Sequence, residues 1–221
     1  MKLLVSALAK LILGFILIGI FLFLPARTFN YFGAWLFIGV LFIPILILGA
    51  VLFFKSPVLL KKRLKGKEKE KAQRGVISLS ALMFPAGFII SALDFRYGWS
   101  DVPIWLTVSA AALFLSGFIM YAEVLRENAY LSRTVEVQEN QNVISSGLYG
   151  VVRHPMYLAT LFMFLPIPLI LSSFWGLIPF SLYPLIITVR ILNEEKVLTK
   201  DLAGYAEYKE KVKYRLIPFI W

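Results

Sequence analysis

Hydrophobic and polar positions alternate along this chain in blocks far longer than the period of a strand or of a half-buried helix. A helix needs about 20 apolar residues to cross the hydrocarbon core of a bilayer. Four segments meet that length: Leu3–Leu24, Ala34–Phe54, Val76–Leu93 and Ile104–Val124. A fifth apolar run, Tyr157 to Leu192, is too long for one crossing. Ser172-Ser173 near its middle, with Trp175 and Gly176 following, marks a tight turn. The run is therefore predicted to be a helical hairpin, Met156–Leu171 and Phe174–Leu192, with Pro166 and Pro168 bending its first arm. The expected fold is all-α: a polytopic membrane protein of about six membrane segments, including a C-terminal helical hairpin. No internal repeat is visible.

The loops orient the segments. Lys55–Arg74 carries nine Lys/Arg: Lys55, Lys61, Lys62, Arg63, Lys65, Lys67, Lys69, Lys71 and Arg74. The loops of the opposite side carry only Arg27 and Arg96. Positive-inside counting makes the long loop cytoplasmic, and with it both termini, the Gln138–Tyr157 segment and the Glu194–Trp221 tail. The first run holds Lys10 and lacks a convincing cleavage signal, so it reads as a retained span whose lysine snorkels to the surface. Compactness and short loops look prokaryotic, which suggests a prokaryotic cell membrane.

Composition narrows the chemistry. The chain is 59% hydrophobic and 16% charged, where a soluble domain is nearer one half apolar. With no cysteine there is no disulfide, thiolate nucleophile or Cys-based metal site, and the single histidine, His154, rules out a His-rich metal centre. The net charge of +10 sits in loops, where anionic lipid headgroups explain it better than nucleic acid does. The basic loop reads as a solvated, lipid-facing charge run rather than a nucleotide patch. In the tail, Gly204–Arg215 spaces Tyr205, Tyr208 and Val212 helically among Lys209, Lys211 and Lys213. It is expected as an amphipathic helix on the cytoplasmic surface, its tyrosines packing beneath the site.

Two polar clusters bracket the hairpin. Arg190 and Glu194 are four apart and share a helix face, while Glu195 points about 100° away. The pair reads either as an ion pair at a helix end or as two separate grips, Glu194 accepting from a cation and Arg190 holding a carboxylate with its forked donors. In Arg153-His154-Pro155-Met156-Tyr157 the proline suits the first helical turn. That puts Val152, Arg153 and His154 at a helix N-terminus, a natural seat for an anion. His154 could equally make a structural hydrogen bond. The polar strip Thr134–Ile144 could roof a pocket, with Gln138 among its donors. No triad and no Gly-rich phosphate loop is present, because Gly147-Leu-Tyr-Gly150 lacks the lysine and the strand–helix context. The expected reaction needs positioning more than an acid–base relay.

These motifs resemble those of the isoprenylcysteine carboxyl methyltransferase family. The likeness runs through Val135-Glu-Val-Gln138, Ile144-Ser-Ser-Gly-Leu-Tyr149, Arg153-His-Pro-Met-Tyr157, Arg190 with Glu194-Glu195, Gly204-Tyr-x-x-Tyr208 and Arg215-x-Ile-Pro218. The resemblance implies methyl transfer from S-adenosyl-L-methionine to the carboxylate of a lipid-like, isoprenylcysteine-type acceptor. It implies a cofactor pocket of Gln138, Gln141, Asn142, Val143, Ile144, Tyr149, His154, Pro155, Met156, Tyr157 and Glu194, with Arg190 on the substrate carboxylate. Arg190 and Glu194 become the catalytic pair, Arg153 and Glu195 their supports. The chain then divides into a helical part, 1–125, with the basic loop 55–75, and a methyltransferase-like part, 126–221. Alternatives at this level are a phospholipid or amine N-methyltransferase, an NADPH-dependent membrane reductase and a non-catalytic membrane protein. Membrane lipids are expected as neighbours; nucleic acid and metal are not.

Overall fold

The computed structural model describes residues 2–64, 71–132 and 137–221; of 71–74, 76 and 77 only the backbone is described. Lys65, Lys67 and Lys69 of the basic loop, and Thr134, Val135 and Glu136 of the polar strip, lie outside the described residues. Helices run α1 (Lys2–Ala26), α2 (Phe32–Lys55), α3 (Pro57–Leu64), α4 (Lys71–Tyr97), α5 (Ile104–Glu127), α6 (Pro155–Phe164), α7 (Ile167–Ile170), α8 (Leu177–Phe180), α9 (Tyr183–Asp201) and α10 (Tyr205–Lys211), with a 3₁₀ turn at Gly147–Gly150. No strand occurs among the described residues.

Five of these stretches are long and apolar enough to cross a membrane: α1, α2, Ser78–Tyr97, α5 and Leu177–Asp201. The protein is a polytopic membrane protein. Pro25, Pro44 and Pro85 sit inside α1, α2 and α4, as membrane helices tolerate where neighbours re-satisfy the backbone. The predicted hairpin is present, but its arms differ from the expectation. The first, Pro155–Ile170, is shorter than the crossing helices. The helix breaks after Phe164 and resumes at Ile167, because Pro166 and Pro168 each remove a backbone donor. The second arm continues past Leu192 to Asp201, so Arg190, Glu194 and Glu195 ride on one unbroken helix.

The core gathers large side chains from every crossing element, among them Phe37, Phe114, Phe180, Ile167 and Ile191. α5 packs along α6, where Gly117 allows close approach: a Cβ there would lie 2.8 Å from Phe162 Cβ and 2.9 Å from the Ala159 carbonyl oxygen.

The hairpin turn is fastened at the end remote from the site by a residue the hydropathy pattern does not single out. Asp94, fully buried on α4, accepts from the Ser100 backbone N–H (2.7 Å), the Ser100 hydroxyl (2.6 Å) and the Ser173 hydroxyl. Ser173 in turn accepts from the Gly176 N–H at 2.9 Å. The Tyr31 hydroxyl donates to the Leu171 carbonyl at 2.6 Å. A buried carboxylate is costly unless its oxygens are occupied by donors, and here they are.

Candidate active site

The loop that opens the site is set by a contact at the end of α5. Leu148 N–H donates to Glu127 Oε2 at 3.1 Å. Gly147 has φ +52°, a conformation that favours glycine, and a Cβ there would displace the Glu127 carboxylate from this contact. The turn presents Tyr149, whose hydroxyl accepts from Asn128 Nδ2 (2.9 Å) and whose carbonyl accepts from the Tyr208 hydroxyl (2.7 Å).

Behind it lies a closed knot. Glu195, 5% exposed, takes Arg153 Nε at 2.7 Å and His154 Nε2 at 3.2 Å on one oxygen, and Arg215 Nε at 2.9 Å on the other. Arg153 also donates to the carbonyls of Val212 (2.8 Å) and Lys213 (3.0 Å). The backbone N–H groups of Arg153 and His154 donate to the Tyr214 and Arg215 carbonyls, both at 2.9 Å. This corrects the expectation of an anion seat at that helix end: two of its three donors are spent on the tail. His154 makes a structural bond, though to a carboxylate. The tail also differs from the surface helix expected. α10 has only seven residues. The chain then extends back under the site, burying Tyr205, Tyr208 and Val212 against Leu198, Leu202 and Val143.

One residue earlier on α9 the arrangement is open. Arg190 Nε donates to the Tyr157 hydroxyl at 2.9 Å, and that hydroxyl donates to Glu194 Oε2. The Arg190 guanidinium also lies 5.9 Å from the centre of the Tyr157 ring. Tyr157 thus bridges the two charges that sequence spacing placed on one face. All three line a cavity of about 100 Å³.

The same cavity brings together most of the expected site: Gln141 to Ile144, Tyr149, Arg153 to Tyr157, Arg190 and Glu194. Gln138 stands off the wall, its amide held between Lys62 and the Tyr130 carbonyl. Glu195 lies behind the wall, in the knot. Sequence reasoning missed Asn128, Tyr130, Leu131 and Ser132, which form the roof, and Leu198 and Leu202, which line the opposite side together with Tyr205 and Tyr208, the tyrosines expected beneath the site. Leu198 follows Glu194 by one helical turn, and that spacing was a usable signal. The roof segment has no periodicity to read.

α3 holds the roof in place. Lys62 Nζ reaches Gln138 Oε1 and lies 6.0 Å from the Tyr130 ring centre. Arg63 donates to the Ser132 carbonyl at 3.0 Å and to the Tyr121 hydroxyl. Lys10 of α1, the lysine expected to snorkel, donates to the Leu64 carbonyl at the end of α3. The basic stretch, the cleft and the tail therefore share one side of the molecule.

Burial pushes the phenols of Tyr149, Tyr205 and Tyr208 above their ordinary range, and the charges of Glu195 and Glu194 add to this at Tyr205. They remain neutral, and the Tyr208 hydroxyl donates to the Tyr149 carbonyl. Tyr205 Oη is buried in the wall with no hydrogen-bond partner, and an orphaned buried hydroxyl costs about 1–3 kcal/mol. A ligand with an acceptor at that point would recover this. Among the described residues, no group of three His, Cys, Asp or Glu side chains is placed to hold a metal ion.

Comparison with known proteins adds the following. The solved structure of a eukaryotic intramembrane Ras methyltransferase, isoprenylcysteine carboxyl methyltransferase, is similar at 16% identity, covering 96% of this chain and 86% of that one with a TM-score of 0.49. No curated protein matches. Residues 105–204, from the start of α5 to the start of the tail, match the model of the phospholipid methyltransferase family. That stretch, a little under half of the chain, contains the roof, the hairpin and the Arg190–Glu194 face.

Proposed function

We propose that the cleft binds S-adenosyl-L-methionine and directs its methyl group to the carboxylate of a lipid-like acceptor of the isoprenylcysteine type. The observation that carries this reading is the Arg190–Tyr157–Glu194 line, which sets a cation and an anion on one cavity wall with a phenol between them. When bound, the cofactor supplies an electrophilic methyl group on a sulfonium. Glu194 is suited to its cationic part, and the unpaired Tyr205 hydroxyl to a polar atom. Gln141 to Ile144, with Tyr149, His154, Pro155 and Met156, offer amide and apolar surface for the rest. Arg190 grips the acceptor carboxylate, which is already ionised and needs no strong base. Tyr157 fixes the direction of both charged groups, so the chain contributes alignment and exclusion of water.

The cavity is smaller than the roughly 300 Å³ at which ordinary ligand clefts begin. It accommodates the reacting groups, and a whole cofactor requires the roof, at 128–132 and 141–144, to yield. The basic stretch at the end of α2 and along α3 supports a cytoplasmic position for the cleft and both termini.

A second reading has one observation of its own. The matched family is that of phospholipid methyltransferases, and in amine transfer Arg190 would bind the acceptor's phosphate. Calorimetry with S-adenosylmethionine and its demethylated product tests the cofactor, with a dissociation constant in the micromolar range expected; absence of heat for both would end both readings. Radiolabelled methyl transfer to a farnesylated thiol acid, set beside phosphatidylethanolamine, separates them: base-labile label on the thiol acid supports the carboxylate, whereas label on the phospholipid alone overturns it.

A further inference from the structure

A second cavity, larger than the cleft, lies between α2 and α5. Helices α2 and α5 touch only over part of their length. The buried residues of α2 are Gly33, Ala34, Phe37 and Ile38, all in its first half. Beyond Pro44 the two helices diverge, leaving a groove of about 1220 Å³ walled by Ile47, Leu48 and Val51 on one side and Phe118, Ile119 and Ala122 on the other. Ile47 and Ile119 are largely exposed, so the groove opens sideways.

Its length and its mouth define an occupant. From Pro44 to Lys55 an α-helix rises about 16 Å, close to the ~15 Å of hydrocarbon in one leaflet. At the Lys55 end the lining turns cationic: Lys55 closes α2, Lys62 comes from α3 and Arg126 from α5, with Glu123 as the one carboxylate. Arg126 is held by Glu123 through Nε at 2.8 Å, which leaves a net positive mouth at headgroup depth. Within a bilayer such a groove does not stay empty, since unfilled space forfeits dispersion contacts.

We propose that the α2–α5 groove is a binding site for an anionic glycerophospholipid of the surrounding leaflet, with its acyl chains between the helices and its phosphate at Lys55, Lys62 and Arg126. This site is separate from the acceptor's. Tyr130 lines both groove and cleft and stands between them. Lys62 also grips Gln138 beneath the roof, so the bound phosphate sits on the residue that positions the roof.

The test is native mass spectrometry of the full chain released from nanodiscs of equal phosphatidylglycerol and phosphatidylcholine. A phosphatidylglycerol adduct enriched about tenfold is expected from the added attraction of clustered basic residues. Lys55→Gln combined with Arg126→Gln should bring the enrichment close to unity with helicity unchanged. Ile47→Trp with Ala122→Trp should remove both adducts; if that pair does not fold, the charge variant decides alone. Equal adducts in the unaltered protein, or enrichment that survives Lys55→Gln/Arg126→Gln, would overturn the assignment. So would methylation of added phosphatidylethanolamine that Ile47→Trp/Ala122→Trp abolishes, which would make the groove part of the acceptor site.

Discussion

Glu194 and Glu195 are neighbours on α9, yet they belong to two different regions. Glu195 turns into the knot, where Arg153, His154 and Arg215 occupy both its oxygens. Glu194 turns into the cleft, where the Tyr157 hydroxyl holds it at the cavity wall. The knot ties the hairpin to the tail; Arg153 and His154 reach the cavity wall from it, and Glu195 does not. The cleft keeps a carboxylate and a guanidinium facing a space they can share with one. One helix, turned through about 100° per residue, serves a buried knot and an open cavity with consecutive side chains.

The contrast can be broken experimentally. The largest effect is expected from Glu195→Ala, which leaves the Arg153 charge buried. Removing one partner of a buried pair costs about 3–5 kcal/mol, so thermal unfolding in detergent should drop sharply, and an unchanged melting temperature would show that the knot holds nothing. Next comes Arg190→Ala, which should cut turnover on the thiol acid by about 10²–10³ while the calorimetric affinity for the cofactor stays within twofold. Equal loss of both would erase the division of roles along α9. Glu194→Gln should do the reverse, weakening cofactor binding by about 10–100-fold, as expected for a hydrogen bond to a charged group, with the melting temperature retained. The mildest is Tyr157→Phe, which removes the bridge and leaves both charges in place. A loss of a few-fold in kcat is expected, in line with about 0.5–1.5 kcal/mol for one hydrogen bond; no change would mean that Tyr157 is packing alone.

Much of this fold was legible because apolar blocks of helix-crossing length leave few choices. The cluster around Arg190 and Glu194 was legible too, since helical spacing fixes which side chains share a face. What escaped depended on contacts between distant segments. Asp94 looks like an ordinary helix-end acid until Ser100 and Ser173 close on it. The anion seat read at Arg153 and His154 assumed free backbone donors, and only the returning tail consumes them. Gln138 carries the amide expected of a pocket donor, but Lys62 and Tyr130 have claimed it. Asn128, Tyr130 and Ser132 enter the roof from an irregular strap that no periodicity marks.

The fastening at Asp94 has a mechanical consequence. It anchors the start of the second hairpin arm, whereas Glu194 lies some 17 residues farther along, about 26 Å away at helical rise. The Glu195 knot holds the same arm at its other end. A helix pinned at both ends is a poor hinge, so the Glu194 wall stays put and any widening of the cleft falls to the roof.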